Sequence, residues 1–307
     1  MFSYFVLILA VLIEALLPEG VSTRAQVWVA RISAEFEINA TKLGAPKLQS
    51  FQWLVPVLVW VVGVFCLYQV LMDLQPMLAA LLCVCVLLYG LRFKHFAEIF
   101  TSAQLFLNQG DLLRAKELLL GWAKAYNGTQ PRIERSGEMV FFAIEHGTER
   151  ALRQYFCILF WFWVLPGPLG LVLYLAVLRS AMDTKSRPSA AEQCNSTLVQ
   201  TALRPRFVLF VMEWLPTRLL VLTIALVRQF DEVLLCWRTA KAQHPFSNRA
   251  PLVEVCLSAV GLGAGLEQLT GRDDLHVQAL QQFRQLMLRC TLVWLLAALV
   301  LALLGWF

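Results

Sequence analysis

Apolar residues in this chain are gathered into long runs separated by polar stretches. Phe2–Leu17 is the first run and is short; Phe51–Leu71 is the strongest and is almost uncharged. Met77–Leu91 follows after a link through Asp73 and Pro76, which is too short for anything but a tight hairpin. Tyr155–Val177 is interrupted by Pro166-Gly167-Pro168, Phe207–Val227 carries Glu213, Pro216 and Arg218, and Thr291–Phe307 is the last run. A helix needs roughly 20 apolar residues to span a bilayer. The pattern therefore predicts an all-α fold: a polytopic transmembrane helical bundle of five or six membrane segments, two of them broken.

The polar stretches fix a topology. Residues 92–154 hold nine Lys/Arg, 228–285 hold six and 18–50 hold four, which makes 19 on one side under a six-span arrangement, against five in 178–206. Cytoplasmic loops carry the excess of Lys and Arg, so both ends are expected outside and the three basic stretches inside. Re-entrant segments at 155–177 and 207–227 satisfy the charge rule equally, which leaves the side of 178–206 open. The chain reads as one membrane domain over 1–307, with a cytoplasmic helical-hairpin insert at 92–154 and a second polar helical insert at 228–285. Within 96–126 apolar positions recur at three and four spacing, and Gly110-Asp111 supplies a stop and a new N-cap, the signature of two helices in a hairpin. Packing on the membrane domain is the plain reading of that hairpin, and docking a protein partner is the other. Residues 252–266 read as a half-buried helix. Gly261, Gly263 and Gly265 do not form a phosphate loop.

Composition agrees. Of the 307 residues 59% are hydrophobic and 15% charged, with mean hydropathy +0.64, whereas soluble domains run nearer a quarter charged. The lipid bilayer is thus the first partner. The net charge of +5 fits cytoplasmic loop charge, and with no dense basic cluster interleaved with aromatics it gives no nucleic-acid signal. None of the eight cysteines forms a C-x-x-C pair, so they read as buried free thiols and not as zinc or redox sites. The first run lacks a basic start and contains Glu14, which favours a retained helix over a signal peptide.

Ionisable groups inside a membrane need a partner or a purpose. Glu213 and Arg218 are five residues apart, which on a straight helix turns them about 140° from each other. Pro216 between them predicts a broken helix with a carboxylate and a guanidinium at the break, the pattern of a site that lines a cavity. A structural ion pair with other helices, or snorkelling charges, is the rival reading. Pro166, Pro168 and the glycines Gly167 and Gly170 make a second break, and the N–H groups that open the following half-helix suit an anion such as phosphate. Trp161, Trp163 and Tyr174 flank it, where an aromatic belt explains them as well. His95, His146, His244 and His276 are scattered and give no metal spacing. Glu145-His146 reads as a solvated face.

The same breaks carry a resemblance. FWFWVLPGPLGLVLYLAV at 160–177 resembles the GPxG…LY element of the CobD/CbiB family and of the related AmpE proteins. EWLPTRLLVLTIALV at 213–227 resembles the N-x-x-P-A-R-L element of CobD/CbiB, with Glu213 at the Asn position and Pro216, Arg218 and Leu219 matching. The stretches FAEIFTSAQLFLNQGDLLRAKELL, EHGTERALRQYF and QFDEVLLCWRT are similar to proteobacterial members, so the likeness covers about residues 85–245. It implies a bacterial inner-membrane protein. CobD/CbiB proteins form the amide that joins adenosylcobyric acid to an aminopropanol phosphate in cobalamin biosynthesis. A chain of that kind would be an adenosylcobinamide-phosphate synthase acting on a corrinoid with Mg²⁺. Arg218, Gly167, Gly170 and Tyr174 would then bind substrate, with Glu213 and Asp183 as the catalytic candidates. AmpE proteins act in cell-wall-linked β-lactamase induction, which gives the alternative: a sensor or accessory protein without chemistry of its own. The family's Asp-Pro…His-Pro element has no counterpart after the first run, and its Asp following the GPxG tyrosine falls at Ala181. Those departures favour the alternative, and the P-x-R-L match favours the enzyme. A small-solute transporter shares the broken helices but lacks a visible inverted repeat.

Overall fold

A computed structural model describes residues 2–16, 53–91, 93–127, 136–165, 167–186, 196–262 and 273–304. Every element among them is helical. In chain order these are α1 (Phe2–Leu16), α2 (Leu54–Leu74), α3 (Pro76–Gly90), α4 (Phe93–Asn108), α5 (Leu112–Asn127) and α6 (Ser136–Ala151). A π-turn at Leu152–Phe156 continues α6 into α7 (Cys157–Val164). Then follow α8 (Leu169–Ser186), α9 (Ser196–Val227), α10 (Phe230–Gln243), α11 (Arg249–Ala259) and α12 (Asp273–Leu303).

Among the described residues four helical stretches are long and apolar enough to cross a membrane: Leu54–Leu74, Pro76–Asn108, Pro205–Val227 and Gln278–Leu303. Leu169–Met182 is a shorter apolar helix. The chain is a multi-pass membrane protein built as a helical bundle. Its outward surface matches: α2 buries only Val57 and exposes Leu58, Val62 and Val70 by about half, as lipid contact requires.

The chain divides into two compact units. The first comprises Met1–Arg92, Cys157–Glu213 and Ala298–Phe307. In it α1 packs on α3, and α2 packs on both α3 and α8. The α2–α3 hairpin turns at Gln75, whose extended backbone lets its N–H bond Leu71 O at 2.9 Å, and Pro76 opens α3 where a missing N–H costs nothing.

The second unit comprises Phe93–Phe156 and Trp214–Ala297. The α4–α5 hairpin turns where the residue types predict. Gly110 takes φ +74°, Asp111 N–H returns to Phe106 O at 2.9 Å, and Gly110 N–H to Leu107 O at 3.1 Å, a Schellman stop. The Asp111 carboxylate then accepts from Arg114 N–H at 3.1 Å and caps α5. The core of this unit is aromatic: Phe100 lies 4.6 Å from Phe96, 5.4 Å from Phe283 and 5.8 Å from Trp122 between ring centroids.

Two elements differ from expectation. α12 starts well before Thr291, because Ala279, Leu280, Phe283, Leu286 and Met287 recur at helical spacing and are buried, so an amphipathic half precedes the apolar one. The break expected at Pro216 is absent: α9 runs from Ser196 to Val227 without interruption. A proline inside a membrane helix removes one N–H, and the packed surroundings carry that loss without ending the helix.

Candidate functional site

The first break is real. α7 ends at Val164 and α8 begins at Leu169; Pro166 itself lies outside the described residues. Gly167 has φ +65°, a conformation that side-chain-bearing residues avoid, and the Tyr68 ring closes over it so that an added Cβ would meet the ring at 2.9 Å. Pro168 O accepts from Val172 N–H at 2.9 Å and starts the first turn of α8. Gly170 lets α8 approach α7 closely, since a Cβ there would sit 2.1 Å from Trp161 O. Tyr174 is fully buried, one turn further along. These residues hold two half-helices against each other. Asp183 lies in α8, and its side chain is outside the described residues.

α9 places the other candidates on opposite faces. Its inner face carries Leu209, Met212, Glu213, Pro216, Thr217 and Leu220, with Glu213 6% exposed. Its outer face is an apolar stripe of Phe207, Val211, Trp214, Leu215, Leu222 and Leu226, all more than a third exposed. Arg218 belongs to that outer stripe. Its guanidinium stacks over the Trp214 ring at 3.6 Å to the centroid, and its Nη1 lies 3.5 Å from Trp214 O. Because the helix is continuous, the divergence of about 140° applies, and Glu213 and Arg218 do not converge on one cavity. An arginine at the centre of a membrane helix costs about 2.5–3.5 kcal/mol to insert, so Arg218 stands out.

A charged cluster in the second unit overturns the expectation of a solvated face at Glu145-His146. Arg249, the first residue of α11, reaches Glu145 Oε1 at 2.8 Å and Glu149 Oε2 at 3.1 Å. Arg153, inside the π-turn, pairs with the other Glu149 oxygen. Glu149 is 4% exposed, so its charge depends on these partners. Arg150 is buried beside it, with Nη2 2.5 Å from Trp122 O and its guanidinium 4.3 Å from the centre of the Trp122 ring. The His146 ring lies 4.0 Å from that of Phe142, and burial, reinforced by Arg249, holds the imidazole below the usual histidine range. Glu145, Glu149 and Arg153 recur every four residues, so sequence alone marks them as one helix face. Arg249 is 104 residues from Glu145, and nothing local announces it.

The cysteines behave as free thiols among the described residues. Cys256 is fully buried and burial pushes its thiol up to about 12, so it stays protonated and inert.

Comparison of the chain with protein-family models, with curated proteins and with solved structures finds no match.

Proposed function

We propose that this chain is a bacterial inner-membrane protein of the CobD/CbiB and AmpE group that works as an AmpE-like accessory or sensor protein, without chemistry of its own, in cell-wall-linked signalling to β-lactamase. The orientation of Arg218 carries this reading. The residue that the resemblance makes a ligand group is presented on the outer apolar stripe of α9, turned away from the buried Glu213. An outward cation supported by an indole suits recognition of another membrane component. A synthase needs carboxylates and cations gathered around one reacting centre.

Amide formation of the CobD/CbiB type is the second reading. The P-x-R-L match at Pro216, Arg218 and Leu219 favours it, because that stretch resembles an element of the enzymes, whereas the break at Gly167 and Gly170 resembles both groups. In that case Mg²⁺ and a corrinoid are the partners.

Two strains separate the readings. In a bacterium lacking its own CobD/CbiB, the first reading expects no growth on cobyric acid while the protein is present in the membrane. In a strain with inducible β-lactamase and no AmpE, it expects altered induction. Growth on cobyric acid overturns the first reading in favour of the synthase.

A further inference from the structure

α6 has an aromatic side and a charged side. Gly147 faces the rings of Phe100 and Phe283, from α4 and α12. Glu145 and Glu149, one turn apart, are bridged by Arg249, the first residue of α11, which packs against α6. Thr148 lies on the same seam. Its buried hydroxyl donates to Ile144 O at 2.7 Å and meets the thiol of Cys256, a fully buried residue of α11. α11 also buries Leu252, Val253, Val255 and Leu257, so the seam joins apolar packing to one guanidinium that clasps two carboxylates.

His146 is half-buried beside this clasp. Its Nδ1 lies 3.1 Å from Phe142 O, so a neutral ring donates there and keeps its lone pair on Nε2. The charged groups around the ring are Arg249 from α11 and Glu145 and Glu149 from α6. The next two cations are turned elsewhere: Arg150 to Trp122 O at the end of α5, and Arg153 to Glu149. α4 and α12 bring aromatic rings to the opposite side. Both nearby carboxylates are thus already engaged, and a proton on Nε2 would add a second cation beside Arg249. Burial first and Arg249 second outweigh the carboxylates and hold the imidazole below its usual range while α11 is seated. Lifting α11 removes Arg249 and admits water, which returns the ring towards the ordinary value of about 6.5. The stability this gives the seated form is complete above about 6.5 and is lost as pH falls towards the lower seated value. We infer that the seam between α6 and α11 is an acid-sensitive latch: a proton taken up by His146 sets a second cation against Arg249 and shifts the chain towards a form in which α11 lifts from α6. The device is independent of the function proposed above.

Cys256 is a built-in reporter of the seam, inert while α11 is seated and reactive once it lifts. The full chain in detergent is treated with a neutral aromatic disulfide that reacts with thiols in acid, and peptide mass spectrometry follows each cysteine. Every rate is divided by that of a free cysteine peptide at the same pH. Between pH 7 and pH 5 the corrected Cys256 rate should rise severalfold, with a ceiling of about tenfold per pH unit because one proton is involved. His146→Gln should flatten the rise, and Arg249→Gln should raise the rate already at pH 7, with circular dichroism confirming that each variant is folded. Cys157, fully buried in α7, should stay unlabelled throughout. A Cys256 rate independent of pH overturns the proposal. So does a rise that persists in His146→Gln, which gives the response to the carboxylates. So does labelling of Cys157 in step with Cys256, which means that the whole chain loosens and not the seam. An Arg249→Gln rate equal to that of the unaltered chain at pH 7 overturns it too, because Arg249 then does not hold α11.

Discussion

Arg249 and Arg218 hold the same guanidinium in two different ways. At the contact of α6 with α11, Arg249 bridges two carboxylates, and Arg153 completes the charge on Glu149. On the outer face of α9, Arg218 has an indole and a carbonyl one turn back. The first arrangement is closed: each charge is matched inside the fold, and removing Glu149 takes a buried carboxylate from two guanidinium groups. The second is open, and removing the cation strands nothing. A buried network therefore speaks of structure, and an outward guanidinium held by one indole contributes little to it. Stability should separate the two regions even before any function is assayed.

The largest effect is expected at Glu149. Glu149→Leu leaves Arg249 with one half-exposed carboxylate and takes from Arg153 its pairing with a buried one, and breaking a buried pair in this way costs about 3–5 kcal/mol. Thermal unfolding of the full chain in detergent should show a fall of several degrees. An unchanged midpoint would mean that the network is ornamental and that the contrast with Arg218 is false. Next comes Gly147, which lies on the same helix and faces the aromatic core. A Cβ there would meet Phe100 at 2.7 Å and Phe283 at 2.9 Å. Gly147→Ala should destabilise by about 1–3 kcal/mol, the ordinary cost of overpacking.

A pH dependence sharpens the comparison further. The folded-state pKa of His146 is depressed below 6.5, with burial as the main cause and Arg249 second. Its contribution is fully present above the unfolded pKa and is lost as pH falls from 6.5 towards the lower folded value, because the unfolded chain takes up the proton first. His146→Gln should remove that part of the acid sensitivity, seen as a smaller drop in unfolding temperature between pH 7 and pH 5. An identical drop in both proteins would show that His146 is not held neutral.

What was legible in the sequence was local. Gly110 and Asp111 specify a helix stop and an N-cap by their own backbone and side-chain chemistry, and the hairpin forms there. The 166–170 break was equally plain, since a left-handed glycine and a glycine facing a carbonyl both leave a mark in residue type. Pro216 misled because the same residue type is compatible with a break and with a continuous membrane helix, and tertiary packing decides between them. Consequently the position of Arg218 on the outer stripe was not legible either: a break would have turned it inward. The charged face of α6 was half legible, as a four-residue repeat whose partner lies on a distant helix.

The smallest effect belongs to Arg218. Arg218→Leu forfeits a cation–π contact of about 0.5–2 kcal/mol and gains a residue that lipid accepts without cost, so the two changes nearly cancel. The unfolding temperature of the isolated protein in detergent should move by no more than a degree or two, in either direction. A drop as large as that of Glu149→Leu would reveal that the guanidinium is held by the fold itself, and the contrast between the closed and the open arginine would collapse. A near-zero change would show that the fold does not depend on the Arg218 guanidinium.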